Sequence, residues 1–116
     1  MKKTLLSLVS LAMALLLVAG CSSSKKSEKQ VHIGILQYVE HESLTAARKG
    51  FENELKDQGY IDGKNIKIDY QNAQGDQSNL QTISTSLLSK NDLVLGIATP
   101  AAQSLVNLST DTPILF

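Results

Sequence analysis

The chain has 116 residues, eleven Lys and Arg against eleven Asp and Glu, a single Cys and no Trp. That length suggests one domain at most. The charge balance leaves no basic patch of the kind nucleic-acid binding requires, and a lone cysteine excludes an internal disulfide.

Met1, Lys2 and Lys3 make a positive start, and the 16 residues from Leu5 to Gly20 are apolar or small apart from Ser7 and Ser10. Such a run is short of the roughly 20 residues a membrane-spanning helix needs. A basic start, a short apolar stretch and small residues before a break predict a secretory signal over residues 1–20. The break, Leu17-Val18-Ala19-Gly20-Cys21, resembles the lipobox of bacterial lipoproteins. The resemblance implies that the Cys21 thiol receives a diacylglycerol and that cleavage leaves Cys21 first in the mature chain. The alternative is an incidental thiol behind a plain signal peptide. Two acyl chains, at about 0.8 kcal/mol per buried methylene, anchor a protein on a membrane without a spanning helix. Loss of Lys2 and Lys3 leaves nine basic against eleven acidic residues. Residues 22–30, SSSKKSEKQ, are polar and aperiodic and read as a flexible tether.

From Val31 the pattern is that of a folded domain. Residues 31–36 form a short apolar run suited to a strand covered on both faces. Ser43 is the expected N-cap of a first helix, with Leu44, Ala47, Phe51 and Leu55 as its apolar stripe and Gly59 as its stop. Residues 65–70 alternate, as in a strand nearer a sheet edge. A second helix follows, capped by Asp76 or Ser78 and burying Leu80, Ile83 and Leu87. Residues 93–98 form a third strand, 100–108 a third helix, and 114–116 the start of a fourth strand. This alternation predicts an α/β fold, a parallel sheet with helices on both faces. The more polar second strand belongs at an edge, which gives the strand order 2-1-3-4, with the first helix on one face and the other two on the opposite face.

In such sheets ligands sit outside the carboxyl ends of the strands, where the winding reverses. Here the reversal falls between strands one and three, so two loops border it. One is residues 37–43. Tyr38 offers an aromatic face for a planar ligand, and Gln37 and Glu40 offer polar contacts to an amine or a ring edge. His41 and Glu42 are more distant or solvated, and His32 is structural. The other is residues 98–103. Thr99 is the expected N-cap, Pro100 suits the first helical position, and Ala101 and Ala102 let a ligand approach their backbone N–H groups. A carboxylate can rest at such a helix start, with Gln103 adding an amide. A well-capped helix without a ligand is the other reading of this motif. Gly34 lacks the companion glycines of a dinucleotide fingerprint, and no phosphate-binding loop is present. No catalytic constellation, metal-ligand cluster or cofactor motif appears.

Four stretches together carry a resemblance: residues 33–41 (IGILQYVEH), 46–51 (AARKGF), 63–76 (GKNIKIDYQNAQGD) and 97–103 (IATPAAQ). The sequence resembles the ABC-transporter substrate-binding lipoproteins of the tryptophan/tyrosine type, which share the periplasmic-binding-protein fold. The resemblance implies a two-lobed protein that closes on an aromatic amino acid and docks on a permease. It places Gln37 and Tyr38 in the cleft and the ligand carboxylate at the helix start formed by Thr99, Pro100, Ala101, Ala102 and Gln103. It also implies an extracytoplasmic, lipid-anchored location. Residues 31–116 would then be an incomplete first lobe, with the sheet face beside the first helix left uncovered at strands three and four. A lipid-anchored sensor domain that presents a small molecule to a membrane receptor is the alternative.

Overall fold

The computed structural model of the protein describes residues 29–116. The expected signal peptide, Cys21 and most of the tether lie outside the described residues. Gln30, expected in the tether, is already part of the fold: its amide donates to the Ile66 carbonyl at 3.0 Å.

The elements run β1 (Val31–Gln37), α1 (Glu42–Asp57), β2 (Ile66–Asn72), α2 (Gln77–Lys90), β3 (Leu93–Ile97), α3 (Thr99–Leu108) and β4 (Ile114–Leu115). The strands form one sheet in the order β2-β1-β3-β4, and every pairing is parallel. This is the expected α/β architecture and strand order. β1 is central and reads as a nearly continuous apolar run because both of its faces are covered: Ile33, Ile35 and Leu36 are buried. β2 lies at the edge, where Ile66 is buried and Lys67 is exposed.

The helix ends follow from identifiable caps. The cap of α1 lies two residues before the expected Ser43. His41 is the N-cap, and its Nδ1 accepts from the Ser43 N–H at 3.2 Å, so Ser43 is already helical. The helix ends at Gly59, whose φ of +90° suits a residue without Cβ. The Gly59 N–H reaches the Lys56 carbonyl at 3.0 Å and the Tyr60 N–H reaches Leu55 at 2.8 Å, the two bonds of a Schellman stop. α2 is capped by Asp76, one of its two expected caps, whose Oδ1 accepts from the Asn79 N–H at 2.8 Å.

For α3 the expectation is corrected. Thr99 is not the N-cap; Ala98 is, without a side-chain cap, and Thr99 and Pro100 occupy the first two helical positions. β3 ends at Ile97, so a single residue must turn the chain from strand to helix. Ala98 does so at φ +78° and ψ 153°, a region that costs a residue with a Cβ about 1–3 kcal/mol. Pro100 remains harmless there, because the first amides of a helix lack an intrahelical acceptor in any case.

The two sheet faces differ. On one, α2 and α3 pack over Leu36 and Val94, with Leu80, Leu87, Ala101 and Leu105 completing a fully buried cluster. The other carries α1 over Ile33 and Ile35. Strand registers place Leu93, Leu95 and Leu115 on this second face. Leu93 and Leu95 are only half-buried and Leu115 is 43% exposed, so the predicted uncovered region beside α1 is present. No residue of α1 is fully buried, and Ala47, expected within its apolar stripe, is exposed. β4 forms the outer strand on that side, paired with β3 alone.

Candidate functional site

β1 and β3 are neighbours, and at their carboxyl ends Gln37 pairs with Ile97. The Tyr38 N–H donates to the Ile97 carbonyl at 3.2 Å. Ile97 lies two residues before Thr99, so Tyr38 and the start of α3 both stand at the reversal of winding where parallel sheets bind ligands. The two loops singled out from the sequence meet there.

A third loop joins them. Between β2 and α2, the Gly75 N–H donates to the Tyr38 carbonyl at 2.9 Å and the Ala73 N–H to the Gln37 carbonyl at 3.0 Å. The Tyr38 hydroxyl in turn donates to the Gly75 carbonyl at 3.2 Å. Gln74 and Gly75 have φ of +57° and +72°, which fold this loop back toward Tyr38. In the sequence these residues stand out only as the end of the 63–76 stretch that carries the resemblance, with Gly75 beside the capping Asp76.

α3 is set close against β3 by Gly96. A Cβ there would lie 2.9 Å from the Ala102 Cα and 3.0 Å from its N. Only a glycine lets the helix backbone approach the strand so nearly, and this contact fixes where the helix start points.

The predicted residues divide. Thr99 and Gln103 are exposed, and Tyr38, Pro100 and Ala102 are half-buried. Thr99, Ala102 and Gln103 border a depression of about 340 Å³ with Val106, Asn107 and Phe116; Tyr38 does not line it. Gln37 and Ala101 are fully buried, so neither presents surface to a ligand in this arrangement. The expected amide cradle is also narrower than the sequence suggests. The Ala102 N–H donates to the Ala98 carbonyl at 3.1 Å, Ala101 lies beneath the surface, and Pro100 has no N–H. Thr99, with its amide and hydroxyl, is the exposed polar residue of the first turn.

The surrounding charges are engaged elsewhere. Glu40 accepts from the Thr45 hydroxyl and from the Asn72 amide. His41 caps α1, and the His32 N–H donates to Asp92 at the opposite end of the sheet. Arg48, on α1, lies 4.4 Å from the centre of the Tyr70 ring and bonds Glu52 at 2.8 Å. The hydrogen bond to Glu52 raises its pKa above an already high ordinary value, against an opposing desolvation. It is a permanent cation on the β2 side of the sheet.

Comparison with known proteins gives the family and agrees with the fold. Residues 32–116 match the family described as ABC transporter substrate binding protein. The chain is 44% identical, over 98% of its length, to a tyrosine-binding protein of Clostridioides difficile strain R20291, and spans 36% of that relative. It is similar to the ligand-free, open structure of a substrate-binding protein with adhesive properties from Clostridium difficile, at 48% identity and a TM-score of 0.71, covering 73% of this chain and 29% of that one. It is likewise similar to a Streptococcus pneumonia ABC domain in complex with L-Trp, at 46% identity and a TM-score of 0.70, with the same coverages. The chain thus spans about a third of the length of the relatives it matches.

Proposed function

The chain belongs to the ABC transporter substrate-binding protein family, and from that premise we propose that residues 31–116 form one wall of an aromatic amino-acid site in the solute-binding component of an ABC importer. The observation that carries this reading is the Tyr38 N–H bond to the Ile97 carbonyl, two residues before Thr99, at the reversal of the sheet. The Tyr38 ring supplies an aromatic surface, Thr99 supplies an amide and hydroxyl for the ligand carboxylate at the positive end of α3, and Gln103 supplies an amide from the same helix. The 44% identical relative is a tyrosine-binding protein and a 46% identical one is seen with L-Trp, which favours this ligand class. The wider proposal adds lipid on Cys21, a location on the extracytoplasmic face of the cell membrane, and an ABC permease as partner.

One wall does not close on a ligand. The test is to graft residues 31–116 into the tyrosine-binding relative in place of its matching segment, then titrate L-tyrosine, L-tryptophan and L-leucine calorimetrically. Micromolar or tighter binding of an aromatic amino acid is expected, weakened about tenfold or more by Tyr38→Ala, the loss of a stacking contact worth on the order of 1 kcal/mol and its buried area. The 116-residue chain alone is expected to bind weakly or not at all. No heat from either aromatic amino acid in the graft counts against the site. For the anchor, labelled palmitate should enter the wild-type protein in a bacterial host and not the Cys21→Ser variant; equal labelling would remove that part.

A further inference from the structure

Gln37 is a carboxamide on the side of β1 otherwise formed by Ile33 and Ile35, and it is fully buried. Every polar atom of its side chain is engaged. Its Nε2 donates to the Val39 carbonyl at 2.9 Å and to the Thr45 hydroxyl at 3.3 Å. Its Oε1 accepts from the Tyr70 hydroxyl at 3.4 Å. A leucine would fill this position with no buried amide to satisfy, so the amide is there for what it holds. What it holds is the carbonyl immediately after Tyr38. The Tyr38 N–H is fixed by Ile97, its carbonyl by Gly75 and its hydroxyl by Gly75; Gln37 secures the next peptide from beneath.

We propose that Gln37 is a positioning residue: it fixes the aromatic wall formed by Tyr38 in advance of the ligand, and ties it through Thr45 and Tyr70 to α1 and the edge strand β2. The role of Tyr38 as a wall rests on the function proposed above; the positioning of Tyr38 does not. A wall held in its bound geometry loses less freedom when a ligand arrives, which raises affinity without adding a contact.

The experiment is amide hydrogen exchange on the 116-residue chain, comparing wild type with Gln37→Met, which keeps the volume, and Tyr70→Phe, which removes one hydroxyl and keeps the ring against Arg48. In Gln37→Met the Tyr38 and Gly75 amides should exchange about tenfold faster or more, the effect of leaving buried polar partners unpaired. The Leu87 and Leu105 amides, in the cluster on the opposite face, should keep their wild-type rates. Tyr70→Phe should give a smaller rise at the same two amides, and it carries the test should Gln37→Met fail to fold. Unchanged rates at Tyr38 and Gly75, or a rise by one common factor at all four amides, overturns the proposal, since the second pattern is that of a merely structural residue. In the graft, Gln37→Met should also weaken aromatic amino-acid binding although the residue has no surface in the site. A graft without any amino-acid binding speaks against the proposed function, while the exchange rates still decide the role of Gln37.

Discussion

Alanine at position 96 should destabilise the fold by about 1–2 kcal/mol. The added Cβ would lie 2.9 Å from the Ala102 Cα, 3.0 Å from its N and 3.1 Å from Leu105 Cδ1. Carbon atoms rest about 3.5–4.0 Å apart, so α3 must withdraw by roughly 0.6 Å or more. Two of the three contacts are backbone, and no rotamer change relieves them. Overpacking of this kind costs about 1–3 kcal/mol. Against it stands a gain of about 0.4–1 kcal/mol from the smaller freedom of the unfolded chain, available because Gly96 is not at positive φ. For a domain of this size the net loss corresponds to a midpoint about 4–16 °C lower. Gly50 is the matched control. It lies inside α1 with nothing within 4 Å of its would-be Cβ, so Gly50→Ala should stabilise by about 0.5–1 kcal/mol. Thermal and urea unfolding followed by circular dichroism measure both. A Gly96→Ala protein as stable as wild type, beside a stabilised Gly50→Ala protein, would refute the close approach of α3 to β3.

Asp76→Ala removes the side-chain acceptor of the Asn79 N–H and should cost about 1 kcal/mol in urea unfolding; an unchanged midpoint would show the cap to be idle. Ser84 is fully buried and shares a 2.8 Å hydrogen bond with Ser104 across α2 and α3. Ser84→Ala should cost about 0.5–1.5 kcal/mol, at the low end because Ser104 also reaches the Leu80 carbonyl, and the same denaturation curves test it. Ala98→Gly should stabilise, by about 1 kcal/mol, since relief of its φ and ψ exceeds the added freedom of glycine in the unfolded state; a loss of stability would mean that Ala98 is not strained.

The elements and their order were legible because hydrophobic period is a local property. Apolar run, 3.6-residue stripe and alternation each survive into the structure, as β1, α2 and β2 show. What escaped was set by backbone geometry. Thr99-Pro100 looks like a helix cap, yet the chain turns one residue sooner through a positive φ at Ala98, for which alanine gives no sign. Histidine is not a favoured cap, so the sequence points to Ser43 where His41 in fact caps α1. Ala101 has a small side chain, which suggests an approachable backbone, but it lies on the core side of α3 among Leu36, Leu80 and Val94 and is out of reach. Gln37 could have been placed from the sequence. It follows Ile33 and Ile35 at spacings of two, so it continues the α1-facing side of β1 and belongs to the interior, not to the loop. The contribution of residues 73–76 depends on a return toward Tyr38 that only the three-dimensional path of the chain supplies.

The outer strand β4 carries a practical consequence. A flank of Ile114 and Leu115, with Phe116 85% exposed and backbone groups on its free side facing outward, is a template for another strand. In a preparation of these 116 residues by themselves, the nearest complementary surface is another copy of the same flank. Such material should grow turbid as it is concentrated, and a lysine in place of Leu115 should keep it clear.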